Sequence, residues 1–286
     1  MRQKRVAVIN DICGLGRCSL AAALPVLSVL GVQPCPVPTA VLTNQTGYES
    51  YALLDCEPLL RRFPAEWRKR GLRLDAISTG FFASVGQVEA ARALLESFRC
   101  AAGGDCFLLV DPVLGDHGKL YSVVNPPLLA AVTALAALAD VLTPNVTEAC
   151  LLTGESWAVF ETASEAEQLL VLERMGSKLL AGNANLVTIT GWRRGDEVCT
   201  LLFLAGDNEP SAAVYASPAV AGSYSGTGDL FAAALCGLLL QGAPPKEALR
   251  RITRFLEAAL RAAAEEGAPG ADGIPFEPCL GLLLDF

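Results

Sequence analysis

The feature that most constrains this chain is a repeated alternation. Short β-branched or apolar runs, most closing on a polar or glycine cluster, are separated by longer Ala/Leu-rich segments with helical periodicity. Val6–Ile9 reads as a strand closing on Asn10-Asp11, and Ala76–Ser78 as one closing on Ser78-Thr79-Gly80. Phe107–Val110 ends at Asp111, Val141–Leu142 at Thr143-Pro144-Asn145, and Leu186–Ile189 at Thr190-Gly191. Helices are predicted over Ser19–Leu30, Glu57–Arg70, Ser84–Ala101, Asn125–Ala139, Thr147–Leu152, Ser164–Leu180, Asp229–Leu240 and Pro245–Glu265. Such alternation predicts right-handed βαβ units: an α/β protein with a mostly parallel sheet covered on both faces. Ligands of such sheets bind outside the carboxyl ends of the strands, so the five polar strand ends are expected on one rim.

Three further segments complete the reading. Val37–Leu42 is another strand, and Glu197–Leu204 with Ala212–Ala216 reads as a hairpin pair. Gln33–Thr46 holds three prolines, three threonines and no charge, and is expected as a strand or flap outside the main sheet. Gly267–Pro275 is expected to be a loop. No internal repeat or linker interrupts the chain, which reads as one domain over 1–286 with flap elements within about 33–52.

The 286 residues are 52% hydrophobic and 18% charged, enough for a large core. The net charge of −8 argues against nucleic acid or an anionic membrane as partner. No apolar run reaches the roughly 18 residues that span a bilayer. The first strand-like run is too short for the apolar core of a signal peptide. Ten cysteines without a C-x-x-C pair, and the single histidine His117, give little support to a zinc site. Cysteines in apolar surroundings, such as Cys106 and Cys236, suit reduced core thiols and a cytoplasmic setting.

Gly226-Thr227-Gly228-Asp229 runs straight into the apolar segment Leu230–Leu235. Glycines permit a tight turn and a close approach of backbone to ligand. The first N–H groups of a helix lack intrahelical partners and sit at the positive end of its dipole, which makes an anion site. Asp229 beside such a cradle can take a proton from an approaching alcohol, as phosphoryl transfer requires. An Asp capping a helix after a Gly-rich turn is the alternative.

Asp111-Pro112-Val113-Leu114-Gly115-Asp116 places two carboxylates after a buried strand, where they can hold Mg2+ with nucleotide phosphates or merely cap the next turn. In Thr143-Pro144-Asn145-Val146-Thr147-Glu148, Asn145 and Glu148 have the spacing of a capping box, which is compatible with metal service by Glu148. Thr43-Asn44-Gln45-Thr46-Gly47-Tyr48 offers amides for the heteroatoms of a small ring and an aromatic to pack on it, or is simply a polar turn. Gly14 and Gly16 invite a dinucleotide reading, but Ser19 stands where the third glycine belongs and no acid ends the next strand. No G-x-x-x-x-G-K-[ST] run is present. His117, between Asp116 and Gly118, is read as a solvated loop residue.

Together these segments resemble the vitamin B6 kinases, acting on pyridoxal, pyridoxine and pyridoxamine, of the ribokinase-like (PfkB) superfamily. The ordered motifs are Asn10-Asp11, Thr43 to Tyr48, Asp111 to Asp116, Thr143 to Asn145 with Glu148, and Gly226 to Asp229. The run Asn10-Asp11-Ile12-Cys13-Gly14 with Arg17-Cys18-Ser19-Leu20 is most similar to a bacterial pyridoxamine kinase branch. The resemblance implies a three-layer α/β/α fold with a small β flap, a cytoplasmic homodimer, and ATP and Mg2+ as cofactors, with room for a monovalent cation such as K+.

In the sites so implied, Asp229 deprotonates the 5′-hydroxymethyl group, and the N–H groups of Gly226, Thr227 and Gly228 stabilise the transferring phosphoryl. Asp111 and Glu148 organise the metal, mainly through water. Asp116, Tyr121, Asn145, Thr190 and Gly191 lie along the ATP phosphates, with Thr227. Asn10, Gln45 and Tyr48 contact the pyridine ring, with Asp11, Asn44, Thr46 and Gly47 in the same acceptor site. The chain departs from the family at Gln45, where histidine is common, and at Asn10, where many members carry serine. A hydroxymethylpyrimidine kinase or another small-alcohol kinase of the superfamily is the alternative enzyme. A non-catalytic B6- or nucleotide-binding protein is the alternative of another class.

Overall fold

The structure, a computed structural model, describes residues 2–99, 106–206, 212–220 and 224–284. In chain order its elements begin β1 (Arg5–Cys13), α1 (Ser19–Val29), β2 (Gln33–Leu42), β3 (Leu53–Asp55), α2 (Glu57–Leu60), α3 (Phe63–Lys69), β4 (Ala76–Thr79), α4 (Val85–Arg99) and β5 (Phe107–Val110). They continue β6 (Gly115–Asp116), β7 (Lys119–Leu120), α5 (Pro126–Ala136), β8 (Val141–Leu142), α6 (Val146–Thr153), α7 (Trp157–Thr162), α8 (Glu165–Leu180) and β9 (Leu186–Arg194). β10 (Glu197–Leu204), β11 (Ala213–Pro218), α9 (Thr227–Leu240) and α10 (Pro245–Glu266) follow, then 3-10 helices at Gly270–Asp272 and Glu277–Leu283. The strand order is β11-β10-β9-β8-β5-β4-β1-β2-β3, with helices on both faces, as the alternation of elements predicts.

Two compact units are present, residues 1–108 with 220–286, and residues 109–219. In the first, β1 lies parallel between β2 and β4. Val6, Ala7, Val8 and Ile9 are all buried, as a strand covered on both faces requires. α9 is apolar on every side, and Leu230 to Leu238 are buried without interruption, so it is an interior helix. Gly237 lets α1 pack close: a Cβ there would lie 2.5 Å from Leu30 Cδ1. In the second unit β5, β8 and β9 run parallel, while β10 and β11 add antiparallel strands. A separate two-stranded hairpin joins β6 to β7.

Several boundaries differ from expectation, each for a physical reason. Gln33–Leu42 does not lie outside the main sheet; it is β2, paired along its length with β1. The N–H of Gln33 donates to the Lys4 carbonyl at 2.8 Å, so odd-numbered residues face β1 there. Pro34, Pro36 and Pro38 then turn their missing donors to the outer edge, where β3 does not pair until Ala40. The single helix expected over Glu57–Arg70 is two, α2 and α3. Pro64 cannot donate to the Leu60 carbonyl, and the helical ladder breaks there.

β9 does not end at Thr190-Gly191. It runs on to Arg194 through an irregularity opposite Thr200, with Gly191 at φ +82, which turns the strand without leaving the sheet. Within the segment expected as a loop, Gly270–Asp272 forms a 3-10 turn. The predicted end of the Ser84–Ala101 helix falls partly outside the described residues, which hold it from Val85 to Arg99. β3, the β6–β7 hairpin and α7 have no counterpart in the sequence reading.

Candidate active site

In the first unit the site is built around the start of α9. Gly226 has a left-handed backbone (φ +84) as the N-cap, and no side chain caps the helix. A Cβ on Gly226 would meet the Arg17 carbonyl oxygen at 2.0 Å, so only glycine fits. The first N–H groups of α9, at Thr227, Gly228 and Asp229, are thus left for an anion. Asp229 lies in this first turn, part of its surface open.

Neighbours hold and tune this carboxylate. Asn10 Nδ2 donates to Asp229 Oδ1 at 2.9 Å. Asn10 Oδ1 accepts from the backbone N–H of Phe81 at 2.9 Å and of Asp11 at 3.0 Å, so both ends of the amide are engaged within the protein. Gly80 makes room for it, since a Cβ there would lie 2.5 Å from Asn10 Nδ2. The Ser19 backbone N–H also donates to Asp229. Burial pushes the Asp229 pKa up to about 6, with the nearby Asp11 charge adding to the rise and the Ser19 and Asn10 bonds opposing it. A carboxylate so placed is a base near neutral pH. Asp11 is itself buried, accepts from Cys13 Sγ at 3.1 Å and bonds the Ser19 side chain; burial raises its pKa.

Ser19 is the residue that the sequence reading missed. It opens α1 with φ 51, a left-handed conformation rare outside glycine, and its backbone and side chain serve two different carboxylates. Its place at a helix start, after a Gly-rich run, was the available signal.

The polar loop after β2 is also tied down internally. Asn44 Nδ2 donates to the Ser50 carbonyl at 2.7 Å. Gln45 is buried; its Nε2 donates to the Ala271 carbonyl at 2.9 Å, and its Oε1 accepts from the Gly47 N–H at 2.7 Å. The Tyr48 hydroxyl donates to Asp272 Oδ1. Thr46 and Gly47 are exposed. The structure therefore joins Asn10 to Asp229, and Gln45 and Tyr48 to the C-terminal turn.

In the second unit Asp111 ends β5 and is buried. Asn145 and Glu148 form the capping box anticipated from their spacing: Glu148 N–H donates to Asn145 Oδ1, and Asn145 N–H to Glu148 Oε2, each at 2.9 Å. Glu148 Oε1 accepts from the Leu114 N–H at 3.0 Å. Asn145 Nδ2 donates to the Gly115 carbonyl at 2.8 Å, and Asn145 bridges Thr190. The start of α6 thus clamps the loop after β5. Asp116 and Tyr121 lie in and after the β6–β7 hairpin, both exposed, with His117 N–H donating to Asp116 Oδ1 at 2.8 Å. His117 is exposed, the solvated loop residue expected.

Burial lifts the Glu148 pKa to about 7. Asp111 and Glu148 supply hard oxygen donors of the kind a divalent cation takes. A cation would offset the cost of burying the Glu148 charge. Both Glu148 oxygens already accept a backbone N–H bond and keep lone-pair capacity that a metal or its water ligands could use. No described helix is long and apolar enough to cross a membrane.

A family model described as phosphomethylpyrimidine kinase matches residues 18–272. The chain is 30% identical over 257 residues to the pyridoxine/pyridoxal/pyridoxamine kinase of Bordetella bronchiseptica, covering 88% of this chain and 87% of that one. It is 28% identical over 254 residues to the hydroxymethylpyrimidine/phosphomethylpyrimidine kinase of Rhizobium meliloti, covering 87% of each. Among solved structures, the pyridoxal kinase of Lactobacillus plantarum matches with a TM-score of 0.86 at 28% identity, covering 99% of this chain and 97% of that one. A Bacteroides thetaiotaomicron protein assigned as a phosphomethylpyrimidine kinase, crystallised in an orthorhombic form with pyridoxal, matches with a TM-score of 0.90 at 32% identity, covering 99% of this chain and 96% of that one. The fold is thereby ribokinase-like.

Proposed function

The chain belongs to the phosphomethylpyrimidine kinase family, and from that premise we propose that it transfers the γ-phosphoryl group of ATP to the 5′-hydroxymethyl group of a B6 vitamer. The observation that carries this reading is Asp229: a carboxylate with its pKa lifted to about 6, in the uncapped first turn of α9 behind a glycine that tolerates no side chain. In the proposed step Asp229 takes the hydroxyl proton as the alkoxide oxygen attacks the γ-phosphorus in line. The bond from that phosphorus to the β,γ-bridging oxygen breaks and ADP leaves. The N–H groups at Gly226, Thr227 and Gly228 receive the charge gathering on the transferring oxygens.

In the second unit Asp111 and Glu148 are the residues that would hold Mg2+, which when bound would supply positive charge to offset that of the nucleotide phosphates. Asp116, Tyr121, Asn145, Thr190 and Gly191 line the nucleotide. Dependence on a monovalent cation is read by comparing potassium with sodium salts. We place the enzyme in the cytoplasm as a homodimer; the exposed apolar residues Leu53 and Leu54 of β3 and Leu59 of α2 support an intersubunit face.

The B6 vitamers are favoured over other alcohols by the Bordetella bronchiseptica relative and the structure solved with pyridoxal. The family model and the Rhizobium meliloti relative favour hydroxymethylpyrimidine as a second reading. The test incubates the protein with ATP, Mg2+ and, separately, pyridoxal, pyridoxine, pyridoxamine and hydroxymethylpyrimidine, and resolves the phosphorylated products chromatographically. Phosphorylation of a B6 vitamer is expected. Turnover of hydroxymethylpyrimidine alone replaces the first reading with the second, and binding without ATP consumption replaces both with a non-catalytic role.

A further inference from the structure

The 3-10 turn at Gly270–Asp272 gathers hydrogen bonds from three loops widely separated in sequence. Gln45 Nε2 donates to the Ala271 carbonyl at 2.9 Å, and the Tyr48 hydroxyl to Asp272 Oδ1. The Arg17 backbone N–H donates to the Asp272 carbonyl at 3.0 Å, and the Ser225 N–H to the Gly270 carbonyl at 3.0 Å. Gly273 follows at φ +77; a Cβ there would stand 2.9 Å from Arg17 Cβ and 3.1 Å from the Ser225 carbonyl oxygen, so turn and loops meet without space for a side chain. Ile274 and Phe276 are buried just beyond and anchor the turn. Arg17 Nε reaches Glu277 Oε1 at 2.8 Å and closes the same contact from outside.

These three loops are the ones that matter to the acceptor. Residues 14–17 follow Asn10 and Asp11, residues 43–48 carry the proposed ring contacts, and residues 224–226 lead into Asp229. We propose that Asp272 is a positioning residue: its carboxylate fixes the ring of Tyr48 through the hydroxyl, and so sets how the acceptor alcohol presents itself to Asp229. The inference rests on the reading of this unit as the acceptor side of a small-alcohol kinase, and it holds for whichever alcohol is turned over. The Asp272 bond raises the Tyr48 pKa, so the phenol keeps its proton and remains a donor. A tyrosine ring held at both ends offers the acceptor a preformed wall. One released from Asp272 must be ordered again at each binding event, and that cost falls on acceptor affinity.

The test is a double-mutant cycle in the full-length protein. Asp272→Ala is expected to raise KM for the acceptor about tenfold, the size typical of losing a hydrogen bond to a charged group, with a smaller fall in kcat and an unaltered KM for ATP. Asp272→Asn keeps the acceptor oxygen and is expected to recover most of that loss. Tyr48→Phe is expected to match Asp272→Ala, and the double variant to be no worse than either single, because one interaction is being removed. Additive effects, an unchanged acceptor KM in Asp272→Ala, or parallel losses for ATP and acceptor overturn the proposal. If Asp272→Ala fails to fold, Tyr48→Phe and Asp272→Asn decide alone: Tyr48→Phe must raise the acceptor KM, and Asp272→Asn must not. Failure of every B6 vitamer with turnover of another alcohol sinks the substrate assignment and leaves this cycle to be read with that alcohol.

Discussion

Asp229→Asn separates the two things a half-buried carboxylate does in a kinase. With its pKa lifted to about 6, Asp229 is almost wholly ionised at pH 8 and only about a tenth ionised at pH 5. The wild-type rate should therefore fall about tenfold between those pH values along a limb set near pH 6. The asparagine cannot accept a proton, and turnover should drop about 10²–10⁴-fold at pH 8 and about tenfold less than that at pH 5, where the wild-type base is mostly protonated. Stability should move the other way. A folded-state pKa above the unfolded one disfavours the native state once the group ionises, so the penalty is full above pH 6 and absent below the unfolded value. The shift of about two pH units corresponds to at most about 3 kcal/mol, reduced because part of the group meets solvent. Asparagine keeps an oxygen to accept from Asn10 Nδ2. Asp229→Asn is thus expected to gain about 1–2 kcal/mol at pH 8 and almost nothing at pH 4. Urea unfolding at the two pH values reads that difference, and a steady-state pH profile reads the rate. Near-normal turnover of the variant, or a wild-type rate flat between pH 5 and 7, refutes the base assignment.

Asn10→Ala removes a bond that lowers the Asp229 pKa, so the acid limb should move to higher pH and activity at pH 6 should fall more than at pH 8; a pH profile checks it. Gly226→Ala combines a positive φ with a Cβ 2.0 Å from a backbone oxygen, and should cost at least about 2 kcal/mol of stability together with most of the turnover, measured by thermal unfolding and product formation. Glu148→Ala leaves the N–H groups of Leu114 and Asn145 without their carboxylate partner, a loss of about 2 kcal/mol or more, and should raise the Mg2+ concentration that gives half-maximal rate.

Much of this architecture is legible in the sequence. The strands carry their own signal, because a strand of a sheet covered on both faces is apolar; Asn10 and Asp11, however, lie within β1, which runs on to Cys13, and both are buried. The capping box of Asn145 and Glu148 follows from spacing alone, since the geometry of a first helical turn is fixed. Ser19 was less visible: its left-handed backbone is imposed by what surrounds it, and serine does not announce φ > 0 as glycine does. The bonds from Gln45 and Tyr48 to the turn at Gly270–Asp272 span more than two hundred residues of chain, and no local pattern encodes them. Thr190-Gly191 looked like a strand end because glycine at φ +82 serves a bulge and a turn equally well.

The prolines of β2 have a consequence beyond local pairing. With Pro34, Pro36 and Pro38 all turned outward, this stretch offers carbonyls but no donors to a passing strand. A partial second strand from another chain cannot zip along it, which shields the partly folded protein from growing into stacked sheets. Association at this flank is left to side chains, and a side-chain contact selects its partner by shape where a bare strand edge would accept almost any.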